Sequence, residues 1–397
     1  MSPAETYLSK QIEIAEAAGN ETAASAWKSM KQMHHAKQWK QLTGLVREHV
    51  AHFREGAPVL HKDLDLEVLY ENFIARFADS ANPKDVAVIL CMISEDIFEK
   101  RGEQAAWDFV DKYRQPCKKD AVAAVRLQVG EIELRLKARR NNVLVHGDEI
   151  KRRLPEIQEE LEKLHGVTEA HAPFFKTSAA FLRETKNYAA YYREALRYLG
   201  CEDLGSLTEA TKTEYAILVS FAALLGDDVY NIGELLAHPV MQYLEVGEYS
   251  WLKDLIVAFN AGDIPKFQAL KTSWGKWPDL AENEVFITNK VRLLSIMELA
   301  LSRAKSNRSL SLQDIAQKAQ VKEKEAEFLV MRAVSKNLII ANINEVDKLV
   351  TISWIAPRVL TRIQIRSLMK QINAWEKDVE VARVVLEKEA DPIFVHQ

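Results

Sequence analysis

The order of helix and strand signals that decides the fold lies in residues 289–355, NKVRLLSIMELALSRAKSNRSLSLQDIAQKAQVKEKEAEFLVMRAVSKNLIIANINEVDKLVTISWI. Its first part has apolar residues three or four positions apart, as on one face of an amphipathic helix: Val291, Leu294, Met297, Leu301 and Ala304. Ser311 and Asp314 then resemble a capping box, which predicts a second helix after Ser311. A third helix is predicted from Lys322, with apolar residues on one face until Asn337.

After Asn337 the apolar spacing changes from the helical period to the two-residue period of strands. Residues 338–343 are rich in branched apolar side chains, and residues 350–354 alternate apolar with polar. A short polar turn, residues 344–348, joins the two runs. Three helices followed by a two-stranded hairpin is the order of a winged-helix domain, in which the hairpin closes over a three-helix core. A fold does not by itself give a function.

Composition is that of a folded protein. The chain has 397 residues, of which 48% are hydrophobic and 28% charged, which allows two or three domains and a large core. The formal net charge of -4 gives no global reason to bind nucleic acid or an anionic membrane. Cys91, Cys117 and Cys201 lie far apart without a CxxC motif, so we expect buried thiols in a reducing compartment.

Targeting and membrane signals are not expected either. Residues 1–16 mix charged with apolar side chains from the start, unlike a secretory signal. The longest apolar run, residues 215–225, is well short of the ~20 residues that span a bilayer.

From Ser9 to about Gly166 the pattern predicts one helix after another, with no need for a strand. Turn-forming residues interrupt it roughly every 30 residues, at Gly19-Asn20, Gly56-Ala57-Pro58, Asn82-Pro83, Gln115-Pro116 and Gly147-Asp148. This spacing favours paired helices stacked in a TPR-like helical-repeat solenoid. Residues 174–199 are predicted to form a single helix that stops at Gly200. Further helices are predicted over residues 208–225, 229–237, 248–260 and 264–272.

The final segment has a coiled-coil-like pattern of apolar residues. We call the seven residues with alternating spacings of three and four the seam: Ile365, Leu368, Ile372, Trp375, Val379, Ala382 and Leu386. A helix from Thr361 to Ala390 would be roughly 45 Å long, more than the ~30 Å width of a small domain, so much of it should project. An exposed apolar stripe of this length favours aggregation, so we expect a helix of a partner chain to cover it. The alternative is that it folds back on the solenoid.

The sequence offers few signs of catalysis. It lacks the motifs GxxxxGK[ST], GxSxG and HExxH. Five histidines cluster in sequence: His34, His35, His49, His52 and His61. His49 and His52 could share a helix face, but no acidic or thiol ligand follows at a recognisable spacing, so packing or surface roles are favoured. We therefore expect that the chain is not an enzyme and has no catalytic residues. We also expect that it binds no cofactor, metal or small-molecule substrate.

A winged helix raises the hypothesis of nucleic-acid binding, because its third helix often enters the major groove. Residues 322–336 carry four basic and three acidic side chains, and residues 344–348 carry one basic and two acidic. A DNA reader concentrates lysine and arginine on both elements to gain from counterion release. The charge pattern disfavours this function.

A solenoid that leads into a winged helix and a long C-terminal helix resembles PCI-domain proteins, which are scaffold subunits of the proteasome lid, the signalosome and a translation-initiation complex. Five stretches narrow the resemblance: EALRYLGC (194–201), GELLAHPV (233–240), WLKDLIVAFN (251–260), NEVDK (344–348) and WIAPRVL (354–360). They are similar to lid subunits of the 26S proteasome regulatory particle, of the non-ATPase regulatory subunit 13 type. Residues 38–43, QWKQLT, are similar to an N-terminal block of that family but depart within it.

The resemblance implies a non-catalytic scaffold subunit of the 19S regulatory particle lid, which acts in ubiquitin-dependent protein degradation in the cytoplasm and nucleus. In that family the winged-helix regions pack side by side, and C-terminal helices gather in a bundle that nucleates lid assembly. The implied partners are other PCI-domain lid subunits, the lid deubiquitinase and the ubiquitin-receptor subunit. Alternatives are a PCI scaffold subunit of the signalosome or a translation-initiation complex, or a winged-helix nucleic-acid-binding protein.

These signals predict a mostly α-helical chain with four parts. The helical-repeat solenoid is predicted over residues 1–170, and the helical part of a PCI domain over 171–287. The winged-helix part of that domain follows over 288–357. The C-terminal bundle helix and tail make up residues 358–397.

Overall fold

The computed structural model describes residues 3–54, 64–140, 143–245, 247–303, 309–360 and 362–394. The chain divides into two compact units, residues 1–206 and 207–397. The domain boundaries expected after residues 170, 287 and 357 stay predictions. None of the helices in the described ranges has the length and apolar character needed to cross a membrane.

In its described residues the first unit consists of helices and one pair of very short strands. Its helices are α1 Pro3–Ala17, α2 Glu21–His35, α3 Trp39–Arg54, α4 Leu66–Asn72, α5 Pro83–Arg101, α6 Glu103–Tyr113, α7 Ala121–Lys137, α8 Gly147–Glu162, α9 His171–Glu184 and α10 Tyr188–Cys201. Short 3-10 helices span Ile74–Arg76, Pro116–Lys119 and Leu204–Ser206. The expectation of no strand was wrong in one detail, because β1 (Arg139–Arg140) pairs antiparallel with β2 (Val143–Leu144).

Asparagine side chains begin helices at two of the predicted breaks. Asn20 Oδ1 accepts a hydrogen bond from the Ala23 N–H at the start of α2. Asn82 Oδ1 accepts from the Lys84 N–H at the start of α5, where a proline occupies the first turn. The predicted break at Gly56-Ala57-Pro58 lies outside the described residues.

The single helix predicted over residues 174–199 was wrong. The structure has two helices, α9 and α10, separated by Thr185, Lys186 and Asn187. Lys186 adopts a left-handed backbone with φ 55°, and Asn187 Oδ1 accepts from the Ala190 N–H to cap α10. Gly200, the expected stop, lies inside α10. The break escaped notice because it contains neither glycine nor proline, the residues that most often mark one.

Helices α5 and α7 approach each other closely at Gly130. A Cβ atom built on Gly130 would lie 2.3 Å from Cys91 Sγ and 3.2 Å from Cys91 Cβ. Cys91 is 2% exposed and belongs to the main hydrophobic cluster of this unit. The absence of a side chain at residue 130 is therefore what allows the two helices to pack at this distance.

Gly130→Ala is expected to destabilise the first unit by about 3 kcal/mol, because a well-packed core cannot absorb the added methyl group without strain. Urea denaturation of the full chain measures this change. Gly44→Ala is the matched control, since no atom lies within 4 Å of the place that its added methyl group would take and alanine favours a helix interior. The double variant Cys91→Ala, Gly130→Ala should recover much of the loss. Wild-type stability of Gly130→Ala would contradict the close approach.

The second unit contains the predicted winged helix. Its helices are α11 Glu209–Leu225, α12 Gly233–Ala237, α13 Ser250–Asn260, α14 Ile264–Ala269, α15 Lys271–Trp274, α16 Pro278–Glu282, α17 Glu284–Ser302, α18 Leu312–Ala319, α19 Glu323–Ser335 and α20 Arg362–Phe394. A 3-10 helix spans Pro239–Leu244. The strands are β3 Ser309–Ser311, β4 Ile339–Asn344 and β5 Leu349–Ile355.

Helices α17, α18 and α19 followed by β4 and β5 confirm the order predicted from the sequence. Ser311 Oγ accepts from the Asp314 N–H at 3.0 Å, so the predicted cap of the second helix is confirmed. Val291, Leu294 and Met297 are buried in α17. Leu301 is half-buried, and Ala304 lies outside the described residues.

The expected two-stranded hairpin is part of a three-stranded sheet. β3 pairs antiparallel with β5, which gives the order β3-β5-β4. Leu310 lies opposite Val350 in the register, and both side chains are fully buried. A three-residue strand is too short to show a period of two, so periodicity could not predict it. The mostly helical class, with helical repeats before a winged helix and a long last helix, is confirmed.

Candidate protein interface

All seven seam residues lie on α20, which is 33 residues long. The large seam side chains are between 44% exposed, at Leu368, and 68% exposed, at Trp375. Every side chain from Ile365 to Lys388 is exposed. The seam side chains are therefore exposed in this chain, and their burial against a helix of a partner chain stays a prediction.

The distal half of α20 is apolar on more than one face. Outside the seam, Val381, Val384 and Val385 are 65%, 39% and 53% exposed. A helix that is apolar on several sides requires neighbours on several sides. The distal half therefore fits the middle of a bundle better than a simple pair of helices.

Residues 356–360, which we call the strap, fix the start of α20 against the winged helix. The Ala356 N–H donates to the Leu338 carbonyl at 2.8 Å. The Val359 N–H donates to Asn231 Oδ1 at 3.0 Å. A Cβ atom on Gly233 would lie 2.7 Å from the Val359 carbonyl oxygen, so only glycine allows this approach without a shift.

One carboxylate ties the strap to the first turn of α20. Glu298, on α17, forms an ion pair with Arg358 Nη2 and accepts from Gln364 Nε2 at 2.9 Å. The Arg358 side chain is only 4% exposed. Its Nε and Nη1 atoms have no hydrogen-bond partner in the described part of the chain. Glu298 therefore balances a buried charge that has few other polar partners among the described residues.

A buried lysine of α17, Lys290, binds the end of α11. Lys290 is 2% exposed, and its ammonium donates to the carbonyls of Ala223 at 2.7 Å, Leu224 at 3.3 Å and Gly226 at 2.6 Å. The first two carbonyls belong to the last turn of α11 and the third to its C-cap, where a cation also meets the negative end of the helix dipole. Burial nevertheless lowers the pKa of Lys290 to about 7.

A second lysine, Lys336 at the end of α19, binds the residues that follow α11. Lys336 Nζ lies 2.8 Å from Asp227 Oδ2 and 3.4 Å from Asp228 Oδ1, just after the end of α11. The hydrogen bond to Asp227 is the main reason that the pKa of Lys336 is raised. Residues 226–233 thus contact α17, α19 and the strap in turn, which joins the three parts that position α20.

Sequence reasoning missed Lys290, Glu298 and Gly233. Lys290 did leave a signal, because it lies three residues after Ile287 and four before Leu294, on the apolar stripe of α17. A lysine in such a stripe is rarely buried without a specific set of acceptors. Glu298 left none, since its partner is distant in the sequence. Gly233 belongs to the stretch GELLAHPV, but that stretch does not show its close approach to Val359.

The histidines, cysteines and carboxylates of the described residues form no candidate metal centre. Among them, no group of three or more His, Cys, Asp or Glu side chains is placed to hold a metal ion. His34 packs edge-on against the ring of Trp39, and burial lowers the pKa of His34. Burial also raises the pKa of the Cys91 and Cys117 thiols to about 12, which makes them poor nucleophiles. His61 lies outside the described residues.

Two family descriptions match adjacent parts of the chain. PSD13 N-terminal repeats match residues 26–256, and the PCI domain matches residues 262–354. The first match covers more than half of the chain and ends before the winged helix. The second ends at β5, before the strap and α20.

Curated relatives cover nearly the whole chain. The probable 26S proteasome regulatory subunit rpn9 of Schizosaccharomyces pombe is 30% identical over 374 residues, 92% of each chain. The 26S proteasome non-ATPase regulatory subunit 13 homolog B of Arabidopsis thaliana is 29% identical over 91% of this chain and 93% of its own. The 26S proteasome regulatory subunit RPN9 of Saccharomyces cerevisiae is 31% identical over 82% of this chain and 85% of its own.

Proposed function

We propose, because this chain belongs to the PSD13 family of PCI-domain proteins, that it is a structural subunit of the 26S proteasome. Its place is the lid of the 19S regulatory particle, where it supports lid assembly and thereby ubiquitin-dependent protein degradation in the cytoplasm and nucleus. The chain has no catalytic role of its own, and its partners there are other PCI-domain lid subunits, the deubiquitinase and the ubiquitin receptor.

The exposed seam of α20 is the observation that carries this proposal. Burying a large apolar side chain stabilises an assembly by about 1.5 to 3 kcal/mol, so several seam residues together can supply a strong association. Relatives named as proteasome regulatory subunits agree with such a use, since a subunit needs a surface that only assembly buries. The proposal is that helices of other lid subunits cover the seam.

The contacts that hold the strap explain how α20 can serve as a binding site during assembly. Its first turn is bonded to Glu298, and the strap before it is held by Asn231 and by the close approach at Gly233. A helix fixed at its base loses less rotational freedom on binding than one on a free linker, which favours association. The winged helix and residues 226–233 therefore fix the position of the base of α20.

Native affinity purification through a tag on the N-terminus tests the assignment, because it leaves α20 free. We expect mass spectrometry to recover the other lid subunits together with the ATPase ring. Recovery of signalosome or initiation-factor subunits instead would keep the scaffold role but contradict the proteasome assignment. A chain recovered without partners at native concentration would contradict the role of the seam.

A further inference from the structure

The solvent-facing side of α19 has large apolar side chains at its centre. Lys324, Phe328, Met331 and Ser335 follow each other at intervals of three or four residues and are all exposed, so they share one face. Phe328 is 69% exposed and Met331 is 47% exposed. Aromatic and methionine side chains are enriched at the cores of protein interfaces. Two of them one turn apart on a helix surface indicate an apolar contact site.

The wing tip, residues 344–348, is held in a defined conformation beside α19. Asn344 Oδ1 accepts from the N–H groups of Val346 at 3.1 Å and Asp347 at 3.2 Å, and Asn344 Nδ2 donates to Asp347 Oδ2 at 2.8 Å. Lys348 Nζ donates to Glu323 Oε1 at 2.6 Å, which ties the tip to the first turn of α19. Val346 is 93% exposed. The tip therefore presents an apolar side chain from a backbone that needs little ordering on binding.

Acidic side chains outnumber basic ones on this surface. Lys348 pairs with Glu323 and Lys336 with Asp227. Residues 322–336 and the wing tip otherwise carry three basic and four acidic side chains: Lys322, Lys324, Arg332, Glu325, Glu327, Glu345 and Asp347. In DNA-binding proteins of this fold the equivalent helix enters the major groove, which lies between two phosphate backbones. The wing-tip carboxylates of Glu345 and Asp347 repel phosphates and attract lysine or arginine.

We propose that the exposed face of α19 and the wing tip form a docking surface for an amphipathic helix of a partner protein. That helix carries apolar side chains one turn apart, with lysine or arginine beside them. Phe328 and Met331 are the anchors, as in recognition of a helix by an apolar surface. Glu345 and Asp347 pair with the basic side chains and so fix the direction of the helix.

This inference rests on the proposed function, because it assigns a second contact to a subunit that α20 holds in the particle. A single helix covers less than the roughly 1,600 Å² of a standard stable interface. The docking surface thus adds to the contact made by α20 and sets which neighbour lies beside the winged helix. The two contacts are separable, since the docking surface lies on α19 and the wing tip and the seam lies on α20.

A photocrosslinker identifies the occupant. Benzoylphenylalanine replaces Phe328 in the full chain, the particle is purified and irradiated, and the crosslinked peptide is sequenced. We expect a helical segment of another subunit with apolar residues three or four apart and at least two lysine or arginine residues. An acidic segment, a second copy of this chain, or no crosslink in an assembled particle would each overturn the docking surface.

Competition between wild type and variants during assembly measures the contribution of the surface. Phe328→Ala with Met331→Ala should reduce incorporation at least tenfold, as should Glu345→Lys with Asp347→Lys. The matched control is Val285→Ala with Val257→Ala, which removes exposed apolar side chains elsewhere in the unit and should incorporate like wild type. Incorporation of the first variant at the wild-type level contradicts the docking surface alone. Failure of the wild type to enter any proteasome particle contradicts the proposed function itself.

Duplex DNA tests the nucleic-acid hypothesis for this winged helix. We expect the full chain not to bind a duplex at low salt, because the surface repels phosphates. Salt-dependent binding that Lys324→Glu removes would overturn the proposal in favour of a nucleic-acid site.

Discussion

A chain with Leu368→Asp and Ile372→Asp is expected to fold like wild type but to be lost from the particle. Both side chains are about half exposed in the free chain, so each new carboxylate remains in water and costs little stability. In the proposed bundle the same carboxylates would be buried without partners, at a cost of about 3 to 5 kcal/mol for each. Incorporation should fall by more than a hundredfold, as measured by co-purification of tagged variants with the other subunits.

The control for this variant places the same charge on the other side of α20. Ser367→Asp with Asn373→Asp adds two carboxylates outside the seam, at exposed positions. This variant should assemble like wild type, and thermal unfolding of both variants should match that of the wild-type chain. Full incorporation of the seam variant would show that the seam is not an interface. Unfolding of the seam variant at a much lower temperature would show that it packs within its own chain.

Lys290→Met is expected to destabilise the second unit by about 3 kcal/mol. Methionine fits the space but cannot donate, so the carbonyls of Ala223, Leu224 and Gly226 lose the bonds that Lys290 gives them. A buried acceptor left without a donor costs about 1 kcal/mol or more. The removal of a desolvated charge offsets part of this loss. Urea denaturation should show the difference, whereas Lys276→Met, at an exposed position, should change stability by less than about 0.5 kcal/mol.

Lys290 also makes stability depend on pH. Burial lowers its pKa from 10.5 to about 7 in the folded chain, against the opposing effect of Asp227 and Asp228. The rings of Tyr230 and Phe259, with centroids 5.6 Å and 5.8 Å from Nζ, also favour the charged form. Between these two pKa values the unfolded chain holds the extra proton, so the free energy of unfolding rises with pH.

The difference in unfolding free energy between wild type and Lys290→Met isolates this effect from other titrating groups. It should increase by up to about 1.4 kcal/mol for each pH unit between about 7 and 10.5. A difference that stays constant over this range would mean that Lys290 keeps its proton in the folded chain.

Features that depend on residues close together in the sequence could be predicted. The winged-helix order, the cap at Ser311 and the position of the seam on one long helix all depend on residues within a few positions of each other. Ser311 succeeded as a marker because its side chain bonds to the backbone only three residues later.

Features set by contacts between distant segments could not be predicted in this way. The pairing of β3 with β5 depends on residues about 40 positions away, and β3 alone is too short to show a period. Glu298 and Arg358, which form an ion pair, are 60 residues apart in the sequence. The break between α9 and α10 was missed for a different reason, since Lys186 adopts a backbone conformation that glycine usually marks.

Glu298 holds the base of α20 through its ion pair with Arg358 and its hydrogen bond from Gln364, so a tilt of the helix pivots about its first turn. At 1.5 Å per residue, Leu386 lies about 36 Å along the helix from Arg362. A tilt of about 5° at the first turn moves Leu386 by about 3 Å, a third of the 8 to 10 Å between the axes of packed helices. A small change at Glu298 would therefore move the distal end of α20 far enough to disturb its packing in the proposed bundle.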